Sequence, residues 1–275
     1  MMYFLADIGG TKTRFALASR LNRFNKVSIY SSVLNYSDFL NLVKNFTEEN
    51  SKSLKQIKKI VFGFAGMLDK KKEKLIFSPN LKDFEHKNLK KDLEKILGGK
   101  IILENDAILA GLGEGKFGSG KTLENFGYIT LSTGVGGAKI TNNDLRQFSF
   151  SEPGHSFLLI DNFLFEIEEL LGGKSIRNIF GEKPEEIKNN FKDDINPEEF
   201  WNYYQEILSI FLVNVSIFWS VEEIILGGGI VKSLNFKKIN FLVKKLNPLP
   251  IKIRIIKSKL GELNVIYGGL TIAMS

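Results

Sequence analysis

Asp7 closes a short apolar run, and Gly9-Gly10-Thr11-Lys12-Thr13 follow almost at once, before a second apolar run begins. A turn so poor in side chains faces its backbone N–H groups outward, and its hydroxyls add donors. With a carboxylate beside them, this is the equipment a polyphosphate and its Mg2+ require. The same residues also suit an ordinary Asp-x-Gly-Gly hairpin turn, so the reading depends on a second half elsewhere in the chain. Thr130-Leu131-Ser132-Thr133-Gly134-Val135-Gly136-Gly137-Ala138 repeats the arrangement. Gly227-Gly228-Gly229 ends a further apolar run, where glycine lets a phosphate or a flat ring approach the backbone and a helix start. Between the first two turns lies Glu104-Asn105-Asp106-Ala107. Asn105 or Asp106 suits a helix N-cap. A carboxylate there also suits the general base that orients and deprotonates the attacking hydroxyl in phosphoryl transfer. The two roles are compatible, with Asn105 as cap and Asp106 as base. None of these turns is a P-loop, and none is a dinucleotide fingerprint, because Gly9-Gly10 leads into a strand rather than a helix.

Presenting these residues takes strands that end at each glycine turn. Hydrophobic periodicity predicts strands over 2–8, 14–18 and 26–32, a helix over 36–49, and a strand over 59–64 that runs into Ala65-Gly66. A short strand over 75–77, a helix over 87–97, a buried strand over 101–103 and a helix from 105 follow. The pattern then restarts with strands over 126–131 and 138–141. Helices are expected over 161–171, 175–180, 184–191 and about 197–220, a strand over 223–226, a helix over 236–246, a strand over 252–256 and a terminal helix over 265–274. Two halves that each begin strand, glycine turn, strand imply two α/β domains facing each other across a cleft, residues 1–107 with 265–275 and residues 108–264. Phosphate would bind between the two turns.

Composition narrows the function classes. The chain of 275 residues has an ordinary apolar content of 43% and no cysteine, which excludes disulfides, thiol nucleophiles, Cys-ligated zinc and iron–sulfur clusters. His86 and His155 are the only histidines, so a multi-histidine metal site is excluded as well. No signal peptide and no bilayer-spanning apolar run is legible, and a cytoplasmic location with no membrane partner is expected. The net charge of +7 comes from scattered lysines, with local clusters at 70–74 and 87–95. Such clusters read as solvated faces rather than a nucleic-acid surface, while an anionic small molecule would still profit from the field. The aromatic helix over 200–219 suits a core, and a homodimer interface is the other use of it.

Taken in order, the motifs resemble those of sugar kinases of the ROK family (repressor, open reading frame, kinase), within the actin-like, ribonuclease H-like ATPase fold. Asp7-x-Gly9-Gly10-Thr11-Lys12 resembles the family's first phosphate motif, Ser78-Pro79-Asn80-Leu81 its sugar loop, Glu104-Asn105-Asp106-Ala107 its catalytic motif and Thr133-Gly134-Val135-Gly136-Gly137 its second phosphate motif. Glu152-Pro153-Gly154-His155 resembles its Glu-x-Gly-His signature, Glu168 its sugar-binding glutamate, and Gly227-Gly228-Gly229 and Gly268-Gly269 its nucleotide-side glycines. The resemblance implies ATP- and Mg2+-dependent phosphorylation of a hexose, glucose at the 6-hydroxyl being the first expectation. Asp106 would be the base. Asn80, Asn105, Glu152, His155 and Glu168 would hold sugar hydroxyls, with Gly66 lining the pocket by its backbone. Gly9, Gly10, Thr11, Lys12, Thr133, Gly134 and Gly136 would hold phosphates, and Asp7 would order Mg2+ through water.

The chain also departs from the family pattern. Where many members carry a cysteine-rich zinc loop after Gly-His, residues 156–161 here are Ser-Phe-Leu-Leu-Ile-Asp. No zinc is expected. The apolar run 157–165 is expected to pack as a replacement brace, with His155 hydrogen-bonding sugar. Ser132 and Ala138 stand where the family usually has glycine. Other acceptors (fructose, mannose, N-acetylglucosamine, N-acetylmannosamine) and a non-catalytic sugar-binding regulator are the competing readings. A DNA-binding repressor is disfavoured because Asp7 leaves no room for a helix-turn-helix ahead of it. Domain closure on sugar and ATP is expected to keep ATP hydrolysis low without sugar.

Overall fold

The computed structural model describes residues 2–20, 23–55, 57–141, 148–181, 184 and 196–275. In chain order these form strands β1 (Met2–Ile8), β2 (Lys12–Arg20) and β3 (Arg23–Ser31), helices α1 (Tyr36–Glu49) and α2 (Ser51–Leu54), strands β4 (Ile57–Phe64), β5 (Met67–Leu68) and β6 (Leu75–Phe77), helix α3 (Leu89–Leu97), strand β7 (Ile101–Asn105) and helix α4 (Asp106–Phe117). Strands β8 (Phe126–Leu131), β9 (Val135–Ile140), β10 (Phe148–Ser151), β11 (Phe157–Ile160) and β12 (Phe163–Glu166) follow, then helices α5 (Ile167–Leu171), α6 (Gly173–Phe180) and α7 (Pro197–Trp219). Strand β13 (Glu223–Gly227), helix α8 (Phe236–Leu246), strand β14 (Arg254–Lys257) and helix α9 (Asn264–Met274) complete the chain.

The chain divides into two compact units, Met1–Phe117 with Leu263–Ser275, and Gly118–Glu262. Each is built on a five-stranded open sheet of the same topology. The first has the order β3-β2-β1-β4-β7 and the second β10-β9-β8-β13-β14. In both, an antiparallel meander of three strands continues into two parallel strands. The sequence-level repeat of strand, glycine turn, strand is therefore the start of the same sheet made twice. The first unit extends to the end of α4 rather than to residue 107. The reason is that α4 lies backbone-to-backbone on α9: a Cβ on Gly268 would stand 1.8 Å from the Leu109 carbonyl oxygen, and one on Gly113 2.3 Å from that of Asn264.

Phenylalanine fills the first core. Phe4, Phe15, Phe39, Phe46, Phe62, Phe64 and Phe84 are all buried between the sheet and helices α1 and α3, with edge-on pairs such as Phe4–Phe15 at 5.5 Å between centroids. Helix α1 starts where Asn35 accepts the Asp38 N–H at 3.2 Å and buries Tyr36, Phe39, Val43 and Phe46, a spacing that keeps one stripe against the sheet. In the second unit α7 supplies much of the core through Tyr204, Leu208, Phe211, Leu212 and Val215, while Tyr203, Ile210 and Phe218 remain exposed.

The expected helix over 161–171 is a hairpin followed by a shorter helix. Strands β11 and β12 pair from Phe157↔Glu166 to Ile160↔Phe163, and α5 begins only at Ile167. Asp161 and Asn162 both adopt left-handed backbone, φ 49° and 66°, the conformation of a two-residue hairpin turn with the right twist for its strands. That local turn overrides the helical spacing of the apolar residues. The run 157–165 is half packed and half exposed: Leu158 and Ile160 face the second core, whereas Phe157, Leu159, Phe163 and Leu164 face outward. The helix expected over 184–191 lies outside the described residues. Among the described residues no helix is long and apolar enough to cross a membrane.

Candidate active site

Because β1, β4 and β7 run parallel, their C-terminal ends finish on one edge of the first sheet. The register pairs Asp7 with Gly63 and Gly63 with Glu104, then Ile8 with Phe64 and Phe64 with Asn105. The first glycine turn, the Ala65-Gly66 loop and Asn105-Asp106 thus lie side by side, although they are far apart in sequence. Asp106 is the first residue of α4, and its Oδ1 accepts the Ala107 N–H at 2.9 Å. Asn105 works in two directions. Its Oδ1 accepts the Ile108 N–H at 3.1 Å, which caps the helix, and its Nδ2 donates to the Gly66 carbonyl at 3.0 Å. Gly66 has φ +140°, and a Cβ there would meet the Phe77 carbonyl oxygen at 2.5 Å. Only glycine fits that conformation.

The loop after β6 closes onto the same edge. Ser78 Oγ donates to the Ala65 carbonyl at 2.6 Å and accepts the Leu81 N–H at 3.1 Å. Asn80 packs its side chain on Gly10, where an added Cβ would stand 2.6 Å from Asn80 Cβ. The turn itself is braced by the Gly9 N–H to the Lys12 carbonyl at 3.1 Å, by the Ser32 N–H to the Thr11 carbonyl at 3.0 Å, and by the Ser32 hydroxyl to the Gly9 carbonyl. Two charged partners escaped the sequence reading. Arg14 donates to Asp7 Oδ2 at 2.8 Å, with both side chains nearly buried. Lys72, in the β5–β6 turn, pairs with the buried Glu104, whose other oxygen accepts the Asn105 N–H at 3.0 Å. A signal for Arg14 existed, since residues equidistant from a short hairpin turn oppose each other, and the ladder pairs Asp7 with Arg14. Nothing local pointed to Lys72.

The second sheet repeats the geometry. Thr130 pairs with Gly227 across the parallel β8 and β13, so residues 132–134 and Gly228-Gly229 leave from one edge. Gly228, at φ +95°, lies against Leu131, and Gly229 starts a single helical turn. The Gly173 and Lys174 N–H groups donate to the Ser132 and Thr133 carbonyls at 2.8 and 3.0 Å, so the start of α6 is tied to the turn. Glu168 accepts the Val135 N–H at 2.9 Å and sits so close to Gly134 that a Cβ there would be 2.2 Å from its Oε2. One amide of the second glycine turn therefore serves Glu168. Gly136 lies inside β9, opposite Thr130. Glu152 leads into the short turn Pro153–His155. Burial pushes the Glu152 carboxyl up to about 7; nearby His155 opposes the shift and Glu168 adds to it. His155 Nδ1 stands 3.2 Å from Glu166 Oε2. Glu152, His155, Glu166 and Glu168 are thus one cluster of the second unit.

The sequence profile of the ROK family matches residues 3–275. The chain belongs to the ROK family. Among its relatives, a glucokinase of Streptomyces coelicolor is 38% identical over 112 residues, a match that spans 40% of this chain and 35% of the relative. An N-acetyl-D-glucosamine kinase of Aliivibrio fischeri is 28% identical over 301 aligned positions, covering 97% of both chains. The fold matches that of a ROK glucokinase from Streptomyces griseus in complex with glucose and AMPPNP, with a TM-score of 0.78 at 21% identity, over 100% of this chain and 99% of that one. These relatives and neighbours are sugar kinases by name, and the actin-like ATPase fold is common to the ROK proteins among them. Among the described residues of this ROK protein, no three His, Asp or Glu side chains gather into a metal cage. Beside the first turn, the Asp7 carboxylate, one oxygen of which takes Arg14, and the threonine hydroxyls are oxygen donors of the kind a hydrated hard cation uses.

Proposed function

We propose that this ROK protein is an ATP-dependent hexose kinase that phosphorylates glucose at its 6-hydroxyl, with Asp106 as the general base. The observation that carries the reading is the common sheet edge of the first unit, where Asp106 opens a capped helix beside the Asp7–Lys12 turn, Gly66 and Asn80. In the step, the Asp106 carboxylate takes the proton of the sugar hydroxyl, that oxygen bonds to the γ-phosphorus, and the bond from phosphorus to the ADP oxygen breaks. The amides and hydroxyls of Gly10, Thr11 and Lys12, with those of Thr133 and Gly134, would hold phosphate oxygens, Gly9 would shape the turn through its N–H to the Lys12 carbonyl, and Gly228 and Gly229 would lie beside the nucleotide. Asn80, Asn105, Glu152, His155 and Glu168 would hold sugar hydroxyls. Carboxylates and amides suit that task because paired hydroxyls both donate and accept. Mg2+, which Asp7 would hold through water, would supply charge neutralisation for the transferring phosphate.

A second acceptor class has its own support. A relative that aligns over 97% of this chain is named for N-acetyl-D-glucosamine, so an acylated hexosamine is the alternative substrate. ADP release measured across glucose, mannose, fructose, N-acetylglucosamine and N-acetylmannosamine separates the two. Glucose is expected to give the highest kcat/KM. Preference for an acetylated sugar would replace the glucose reading, and no sugar-dependent ADP release at all would remove the kinase reading.

A further inference from the structure

His155 and Glu168 reach the second-unit cluster from different elements, and one residue touches the placement of both. Glu166 ends β12 and is the N-cap of α5. Its side chain meets His155 Nδ1 at 3.2 Å, and its N–H donates to Glu169 Oε2 at 3.1 Å, in the capping pair that opens the helix bearing Glu168. The backbone brings the two residues together. Glu166 is paired with Phe157 in the hairpin register, and the Ile167 N–H donates to the Ser156 carbonyl at 2.8 Å. Glu166 is thereby brought back beside the turn that ends in His155. A carboxylate accepts hydrogen bonds and has none to donate when ionised, so the ring nitrogen facing it must carry the proton.

We propose that Glu166 is a positioning residue for the sugar side of the site. It holds the proton on His155 Nδ1, so that the neutral ring has its acceptor at Nε2, and it sets the start of the helix that carries Glu168. The inference rests on the hexose-kinase reading for its consequence, though its geometry is testable without it. The chain has two histidines, so a His86→Gln background leaves a single imidazole whose ring 15N shifts report the tautomer directly. The Nδ1–H form is expected with Glu166 present and is expected to persist in Glu166→Gln, whose amide oxygen still accepts. It should give way to a mixture in Glu166→Ala. Glu169→Ala disturbs the other half of the cap without touching His155 and should leave the tautomer unchanged. In turnover, losing one hydrogen bond that orients the ring should raise the sugar KM of Glu166→Ala roughly tenfold, with the ATP KM within about twofold and partial rescue in Glu166→Gln. An Nε2–H tautomer in the unmodified cluster, or the same tautomer shift in Glu169→Ala as in Glu166→Ala, overturns the proposal. An unchanged sugar KM in Glu166→Ala overturns it as well. If no sugar supports turnover, the kinase reading falls while the tautomer measurement still decides the role of Glu166.

Discussion

Alanine at position 106 removes the carboxylate that opens α4 but spares the Asn105 cap, whose Oδ1 bond to the Ile108 N–H and Nδ2 bond to Gly66 hold the helix start by themselves. Asp106→Ala should therefore fold and bind sugar while kcat falls by about 10²–10⁴-fold, the range a positioned general base supplies. ADP release and calorimetric sugar binding check the two halves of that statement. Glu152 gives a pH signature. Its carboxyl is raised from 4.5 to about 7 in the folded state by burial, with His155 opposing the shift and Glu168 adding to it, so the folded protein binds this proton more tightly than the unfolded chain. The stability it contributes is complete below pH 4.5 and is lost as pH rises through about 7. A comparison of Tm against pH should show the wild type losing ground to Glu152→Gln across that window and running parallel to it above. At this scale the sequence is legible where a residue's type is unusual for its neighbours, as for Asp7 at the end of an apolar strand. It is silent where the partner comes from another element, as with Lys72 on Glu104 and Glu166 on His155.

At the scale of elements, the glycines between α4 and α9 decide how closely two helices approach. A Cβ on Gly268 would collide with the Leu109 backbone at 1.8 Å, and backbone cannot rotate aside as a side chain would. Gly268→Ala should force the helices apart and destabilise the first unit by about 3 kcal/mol, the upper part of the usual overpacking range. Both tryptophans, Trp201 and Trp219, lie in α7 of the second unit. The urea transition followed by circular dichroism should therefore move further than the one followed by tryptophan fluorescence; a larger shift in fluorescence would place the damage in the second unit. Helices with regular apolar spacing, such as α1 and α8, were readable from sequence with the bounds they have in the structure. The β11–β12 hairpin was not, because its apolar residues satisfy a helical spacing too, and the Asp161-Asn162 turn decides between them.

For the whole molecule, the duplicated sheet has a functional corollary. Two units of one topology each end their central strands at a glycine turn, and the proposed transfer of a phosphoryl group to a sugar should depend on both ligands. ATP hydrolysis without sugar is expected to run at a small fraction of the sugar-stimulated rate. Equal rates of ADP release with and without hexose would contradict this.

From the sequence alone came the glycine turns, the carboxylate at the end of β7, the strand–turn–strand repeat and the family resemblance. Each is a property of neighbouring residues, carried by local conformational preference and by hydrophobic period. The tertiary structure decided what those motifs touch. Parallel pairing of β1, β4 and β7 brought Asp7, Gly66 and Asp106 to one edge, the packing of α4 on α9 carried the first unit to Phe117, and the hairpin register returned Glu166 to His155. Those are contacts between residues distant in the chain. They are set by strand register and by how closely backbones can pack, and neither quantity is written in a local stretch of sequence.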